Sequence, residues 1–147
     1  MAYGDRVFRR YARRLLQTGD VLAPMVVRVA AGVVFVSFSF GKFLNHAAEA
    51  AAFDRYGIPA PDEMVYVVGA LELLGGLALI LGLGTRLVAI ALGLNMIGAI
   101  TTAGRIEGGP IHLGLAPALL VAMVFLLWTG AGARSVDRRL EARLSRS

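Results

Sequence analysis

The chain has 147 residues, 57% of them hydrophobic, a mean hydropathy of +0.69 and a formal charge of +5. Soluble domains carry about 45–50% apolar residues, so this composition excludes an ordinary water-soluble protein and points to a single membrane domain. The lack of cysteine excludes disulfides, thiolate metal sites, iron–sulfur clusters and dithiol relays.

Residues 3–17 place Val7, Phe8, Tyr11 and Leu15 at helical spacing, with Arg6, Arg9, Arg10, Arg13 and Arg14 on the other side. This pattern predicts an amphipathic helix lying on the membrane. Residues 24–43 predict the first span. The stretch is longer than a signal-peptide core of about 7–15 residues, so it is expected to be retained. At 100° per residue, Arg28, Gly32, Phe35, Ser39, Lys42 and His46 fall on one stripe. A polar stripe on an otherwise oily helix belongs inside a bundle.

Residues 47–56 predict a short helix with Phe53 and Tyr56 as interfacial anchors. Gly57-Ile58-Pro59-Ala60-Pro61 ends it, and Asp62 and Glu63 suit the start of the second span, predicted over 64–83. Glu72 sits near the middle of that span and shares a face with Gly69, Gly75 and Gly76. A mid-span carboxyl is a functional-site hypothesis by default, and the glycines permit close helix approach. The third span is predicted over 86–103, with Thr85 as its N-cap and Asn95 level with Glu72. The fourth is predicted over 112–129, kinked at Pro117 and ending at Trp128. Residues 132–146 predict a second surface helix bearing Val136, Leu140 and Leu144.

The fold class is therefore all-α: a four-helix integral membrane bundle with amphipathic helices at both termini. Eleven lysines and arginines lie in the terminal segments and the loop between the second and third spans, against Lys42, Arg55 and Arg105 on the other side. This asymmetry predicts both termini in the cytoplasm of a cell membrane. The basic charge is accordingly read as contact with anionic headgroups, not with nucleic acid.

Four stretches carry a resemblance: Gly41-Lys42-Phe43; Phe53 with Tyr56-Gly57-Ile58-Pro59-Ala60-Pro61; Gly69-Ala70-Leu71-Glu72-Leu73-Leu74-Gly75-Gly76; and Leu81-Gly82-Leu83-Gly84-Thr85-Arg86. In order and spacing they resemble the DoxX family of small bacterial membrane proteins, from Arg28 to about Trp128. The resemblance implies four membrane helices and similarity to the small subunit of thiosulfate:quinone oxidoreductase. It also implies a link to oxidant defence or sulfur metabolism.

Depth along the spans brings Arg28 within side-chain reach of Glu72, so an Arg28–Glu72 contact is expected. One reading makes it a structural ion pair. The other puts Arg28, Ser39, Lys42, Glu72 and Asn95 around a small ligand-binding cavity, with His46 and His112 towards its outer side. A quinone headgroup needs donors and a proton acceptor in an apolar slot, and this set supplies both. No metal site is expected. Three function classes stay open: a membrane subunit of a redox complex, an assembly protein that recruits a soluble redox or sulfur-metabolism partner, and a small transporter or channel using Glu72. A homo-oligomer is compatible with each.

Overall fold

The computed structural model describes residues 22–132 and 134–144. Its helices are α1 (Leu22–Leu44), α2 (His46–Arg55), α3 (Pro61–Leu81), α4 (Thr85–Thr101), α5 (Ala103–Ile106), α6 (Ala116–Thr129) and α7 (Val136–Leu144), with a π-helical turn at Ile111–Leu115 before α6. The surface helix expected over 3–17 lies outside the described residues. Four helical segments are long and apolar enough to cross a membrane: Leu22–Leu44, Pro61–Leu81, Thr85–Ile106 and Ile111–Thr129. The fold is an all-α four-helix membrane bundle, as the sequence predicts.

Local chemistry sets the helix ends. Pro61 opens α3 three residues earlier than expected, because a proline at the first helical position loses only an N–H that would be unpaired anyway. Gly82, at φ +69°, closes α3 in the left-handed conformation. The expectation for Thr85 is corrected: Gly84 holds the cap position, and Thr85 is the first residue of α4. The carboxylate of Asp137 at the start of α7 caps α4 instead, accepting from Gly84 N–H at 2.6 Å and Thr85 N–H at 2.9 Å. At Pro117 the irregularity takes the form of the π turn just before it. A widened turn accommodates the carbonyls that proline cannot bond.

The spans form a ring in the order α1, α3, α4, α6. Packing is closest within the α1–α3 pair and within the α4–α6 pair, and the two pairs meet more loosely. Phe35, Leu79, Leu92, Met123 and Leu126 fill the shared core, each at most 1% exposed. Backbone meets backbone where α1 crosses α3. A Cβ added to Gly32 would stand 2.6 Å from the Gly76 carbonyl oxygen, and one on Gly76 would stand 2.8 Å from that of Gly32. Neither obstacle is a flexible side chain. Gly76→Ala is therefore expected to cost about 1–3 kcal/mol, as overpacked cores do. Thermal unfolding in detergent checks this; an unchanged midpoint would show that the crossing has slack.

The end of the bundle where α1 begins and α6 finishes is tied by Arg28, which is 2% exposed. Its guanidinium donates to the carbonyls of Leu79 at 2.7 Å and Ile80 at 2.5 Å, in the last turn of α3. It also donates to Ala131 at 2.9 Å and Arg134 at 3.0 Å, beyond α6. Carbonyls left over at a helix C-terminus carry partial negative charge, so a cation is well placed there. The same knot is tightened by Asp137 N–H bonding to the Gly82 carbonyl at 3.0 Å. We call this the knotted end and the opposite one the capped end.

Candidate functional site

Glu72 is 5% exposed and lies in the interior face of α3. One carboxylate oxygen accepts from Lys42 Nζ at 2.8 Å, and the other from Asn95 Nδ2 at 3.0 Å. Three spans thus converge on one carboxylate. The interior of a bilayer offers no water, so a carboxylate held there must find its donors in the protein.

The expected Arg28–Glu72 contact is not formed, and helix register gives the reason. The antiparallel α1 and α3 cross at Gly32 and Gly76, which sets Glu72 level with about residue 36 of α1. Lys42 then lies about 9 Å along the axis in one direction and Arg28 about 12 Å in the other, at 1.5 Å per residue. Arg28 is also fully engaged by the carbonyls of the knotted end. Lysine, the closer of the two, folds back to the carboxylate. Ser39 shares the buried face, but its hydroxyl donates at 2.7 Å to Val36 of its own helix.

Between the two helix pairs, towards the capped end, lies a cavity of about 590 Å³. Lys42, Glu72 and Asn95 line it; Arg28 and Ser39 do not. Its walls are mostly apolar, with Phe35, Phe53, Met64, Met96, Leu115 and Leu119 contributing from α1, α2, α3, α4, the π turn and α6, while Glu49, Arg55 and Glu107 line it at the capped end. Lys42 has three N–H donors, and among the described residues one is accounted for by Glu72. The arrangement presents donors beside a proton-accepting carboxylate at the inner edge of an oily chamber.

Polar residues that the sequence reading did not join meet at the capped end. Arg55 bridges to Glu107 at 2.9 Å, linking α2 to the loop before the π turn. The Tyr56 phenol hydrogen-bonds to the same carboxylate, and its ring meets His112 edge-on at 6.2 Å. His112 lines the cavity, whereas His46 stacks on Tyr66 at 4.1 Å with Asp62 3.5 Å away. Burial, then the bond to Glu107, pushes the Tyr56 phenol up to about 12. The bonds from Tyr56 and then Arg55 hold Glu107 below the usual carboxylate range. The latch is therefore complete above pH 4.5, the ordinary carboxylate value, and is lost as pH falls through the lowered one. Glu107→Gln removes a negative neighbour from the phenol, so Tyr56 is expected to ionise at lower pH. Tyrosinate absorbance during alkaline titration checks this; identical wild-type and variant curves would show that the phenol does not feel Glu107.

The comparisons agree with this architecture. The family model for DoxX matches residues 23–105, which take in α1 from its second residue, the whole of α2 to α4, and both Lys42 and Glu72. The chain is 33% identical over 144 residues to "Uncharacterized membrane protein Rv3486" of Mycobacterium tuberculosis, covering 88% of each chain. It is 35% identical over 81 residues to "Putative oxidoreductase CatD" of Bacillus subtilis, covering 55% of this chain and 59% of that one. It is 30% identical over 122 residues to "Inner membrane protein YqjF" of Escherichia coli, covering 81% and 92%. No solved structure matches the chain. With the family model spanning more than half the sequence and a relative matched along most of its length, this chain belongs to the DoxX family of membrane proteins.

Proposed function

We propose that the chain is a membrane subunit or anchor of a redox complex serving oxidant defence or sulfur metabolism, and that its cavity takes a quinone-type headgroup. The observation that carries this reading is the Lys42–Glu72–Asn95 cluster opening on an apolar chamber of about 590 Å³. A chamber of that size, apolar with a few convergent polar groups, has the character of a small-molecule site. A quinone offers two carbonyl oxygens that accept hydrogen bonds, and exchanges two electrons and two protons. Lys42 Nζ and the second N–H of Asn95 would hold one carbonyl, Tyr56 or His112 would face the other, and Glu72 would hold or release the proton. A reduced soluble redox or sulfur-metabolism partner would supply the two electrons, and with two protons taken up, one of them through Glu72, the quinone would leave as the quinol. The oxidoreductase name of the Bacillus subtilis relative points the same way.

The orientation that goes with this reading puts the knotted end and both termini in the cytoplasm, as the arginine excess there favours. There the terminal arginines meet anionic headgroups and the partner. A single cysteine in place of Arg105 should react with an impermeant thiol reagent added to whole cells, and one in place of Ser145 should not. The reverse pattern overturns the orientation. For the function, purified protein is extracted with organic solvent and searched for quinones by mass spectrometry, and the stripped protein is titrated with a decyl-substituted benzoquinone. Binding that weakens in both Asn95→Leu and Glu72→Gln supports the reading. Saturable binding unaffected by either variant, or no binding, overturns it.

A further inference from the structure

The cavity's route to the outside is the question its cap raises. Tyr56, His112 and the Arg55–Glu107 bridge lie across the capped end, and the knotted end is filled by Arg28 and its carbonyls. A different gap is built into the wall between α3 and α4. These helices touch where a Cβ on Gly75 would come 3.1 Å from the Leu92 side chain. Beyond that contact, towards the capped end, Val68 and Met64 of α3 and Leu94 and Gly98 of α4 all line the cavity. Leu94 is 63% exposed and Gly98 is exposed on the same edge of α4, one turn apart. Residues that belong both to the cavity lining and to the outer surface mark an opening; Phe38, Arg55 and Ile111 do so elsewhere, but there a side chain stands at the surface, whereas on α4 the edge carries a glycine.

Gly98 differs from the packing glycines of this bundle. Gly32, Gly69, Gly75 and Gly76 each hold a neighbour within 3.2 Å of where a Cβ would stand, but at Gly98 nothing among the described residues lies within 4 Å. Its small size serves no helix contact among the described residues. It leaves space beside the gap.

We propose that the gap between α3 and α4 at Gly98 is a lateral portal through which the apolar tail of a membrane-dissolved amphiphile extends from the cavity into the bilayer. The head would sit on Lys42 and Asn95, at a depth reached from within the membrane, and the tail would lie over Leu94, Gly98, Val68 and Met64. The inference shares with the proposed function the premise that the cavity binds a ligand. It does not depend on the headgroup being a quinone, since any tailed amphiphile needs the same exit.

The test uses the full chain in nanodiscs of phosphatidylcholine with brominated acyl chains, which quench tryptophan on contact. Trp128 is the single tryptophan and is 85% exposed, so Trp128→Phe clears the background at little cost. A reporter is then placed on the cavity wall as Phe35→Trp, or as Phe53→Trp should the first not fold. The reporter is expected to be quenched in brominated discs relative to ordinary ones, and Gly98→Phe is expected to abolish most of that quenching. The added ring meets no neighbour near its Cβ, so the fold should tolerate it. An unquenched reporter, or quenching that Gly98→Phe leaves intact, overturns the portal. A parallel titration with a tail-less dimethoxybenzoquinone separates the two claims. Acyl-chain entry without quinone binding keeps the portal and sinks the quinone reading; quinone binding without acyl-chain entry does the opposite.

Discussion

Lys42→Met is expected to be among the most damaging single substitutions in this protein, lowering stability by about 3–5 kcal/mol, the usual cost of stripping one partner from a buried ion pair. The reason is that the Glu72 carboxyl would lose the ammonium that meets it at 2.8 Å inside the bundle. The Asn95 amide, 3.0 Å away, is a neutral donor and cannot replace an ammonium at 2.8 Å. A charge at the centre of a span costs about 2.5–3.5 kcal/mol even on insertion scales. Glu72→Gln should hurt less, because the amide still fits Asn95. The double variant should cost less than the sum of the singles, by about 0.5–3 kcal/mol for contacting residues. The same cycle run on Arg28 and Glu72 should be additive, since no contact joins them. A thermal-unfolding cycle in detergent reads both, and additivity at Lys42 with coupling at Arg28 would refute the geometry.

Arg28→Lys should be nearly as severe although it keeps the charge. Four backbone carbonyls from two segments converge on the guanidinium, and an ammonium lacks the planar fork that reaches them together. Losing two charge-assisted bonds at about 1.5 kcal/mol each gives about 3 kcal/mol. The damage should be local as well. Residues 131–134 should become more sensitive to protease, while the Lys42–Glu72 coupling is unchanged. Wild-type resistance in Arg28→Lys would mean that the carbonyls find other donors.

The spans were legible because about 20 consecutive apolar residues are a one-dimensional signal, and a short helix before Gly57 followed from spacing; it spans His46–Arg55 with Tyr56 at its cap, and it buries Phe53 where an interfacial anchor was expected. Lys42, Glu72 and Asn95 were legible as interior polar groups for the same reason. Their partners were not. Depth below the membrane surface places a residue along an axis, but contact depends on where two helices cross. Gly32 on the stripe of α1 and Gly76 on the face of α3 were both visible, and matching them would have set the register that favours Lys42 over Arg28. The Arg55–Glu107 latch and the Asp137 cap had no comparable signal. Each joins residues 52 or 53 positions apart through loops, and no helical period connects them.

The Asp137 cap bears on the order in which the chain can be completed. The amides that begin α4 belong to the middle of the sequence, yet the carboxylate that satisfies them is made 52 residues after Thr85. Arg28 likewise waits for Ala131 and Arg134. During synthesis all four spans are made before either set of bonds can close. The growing bundle therefore passes through a stage with its helices inserted and one end still open. The segment after α6, too polar to cross the bilayer, fastens that end through Asp137.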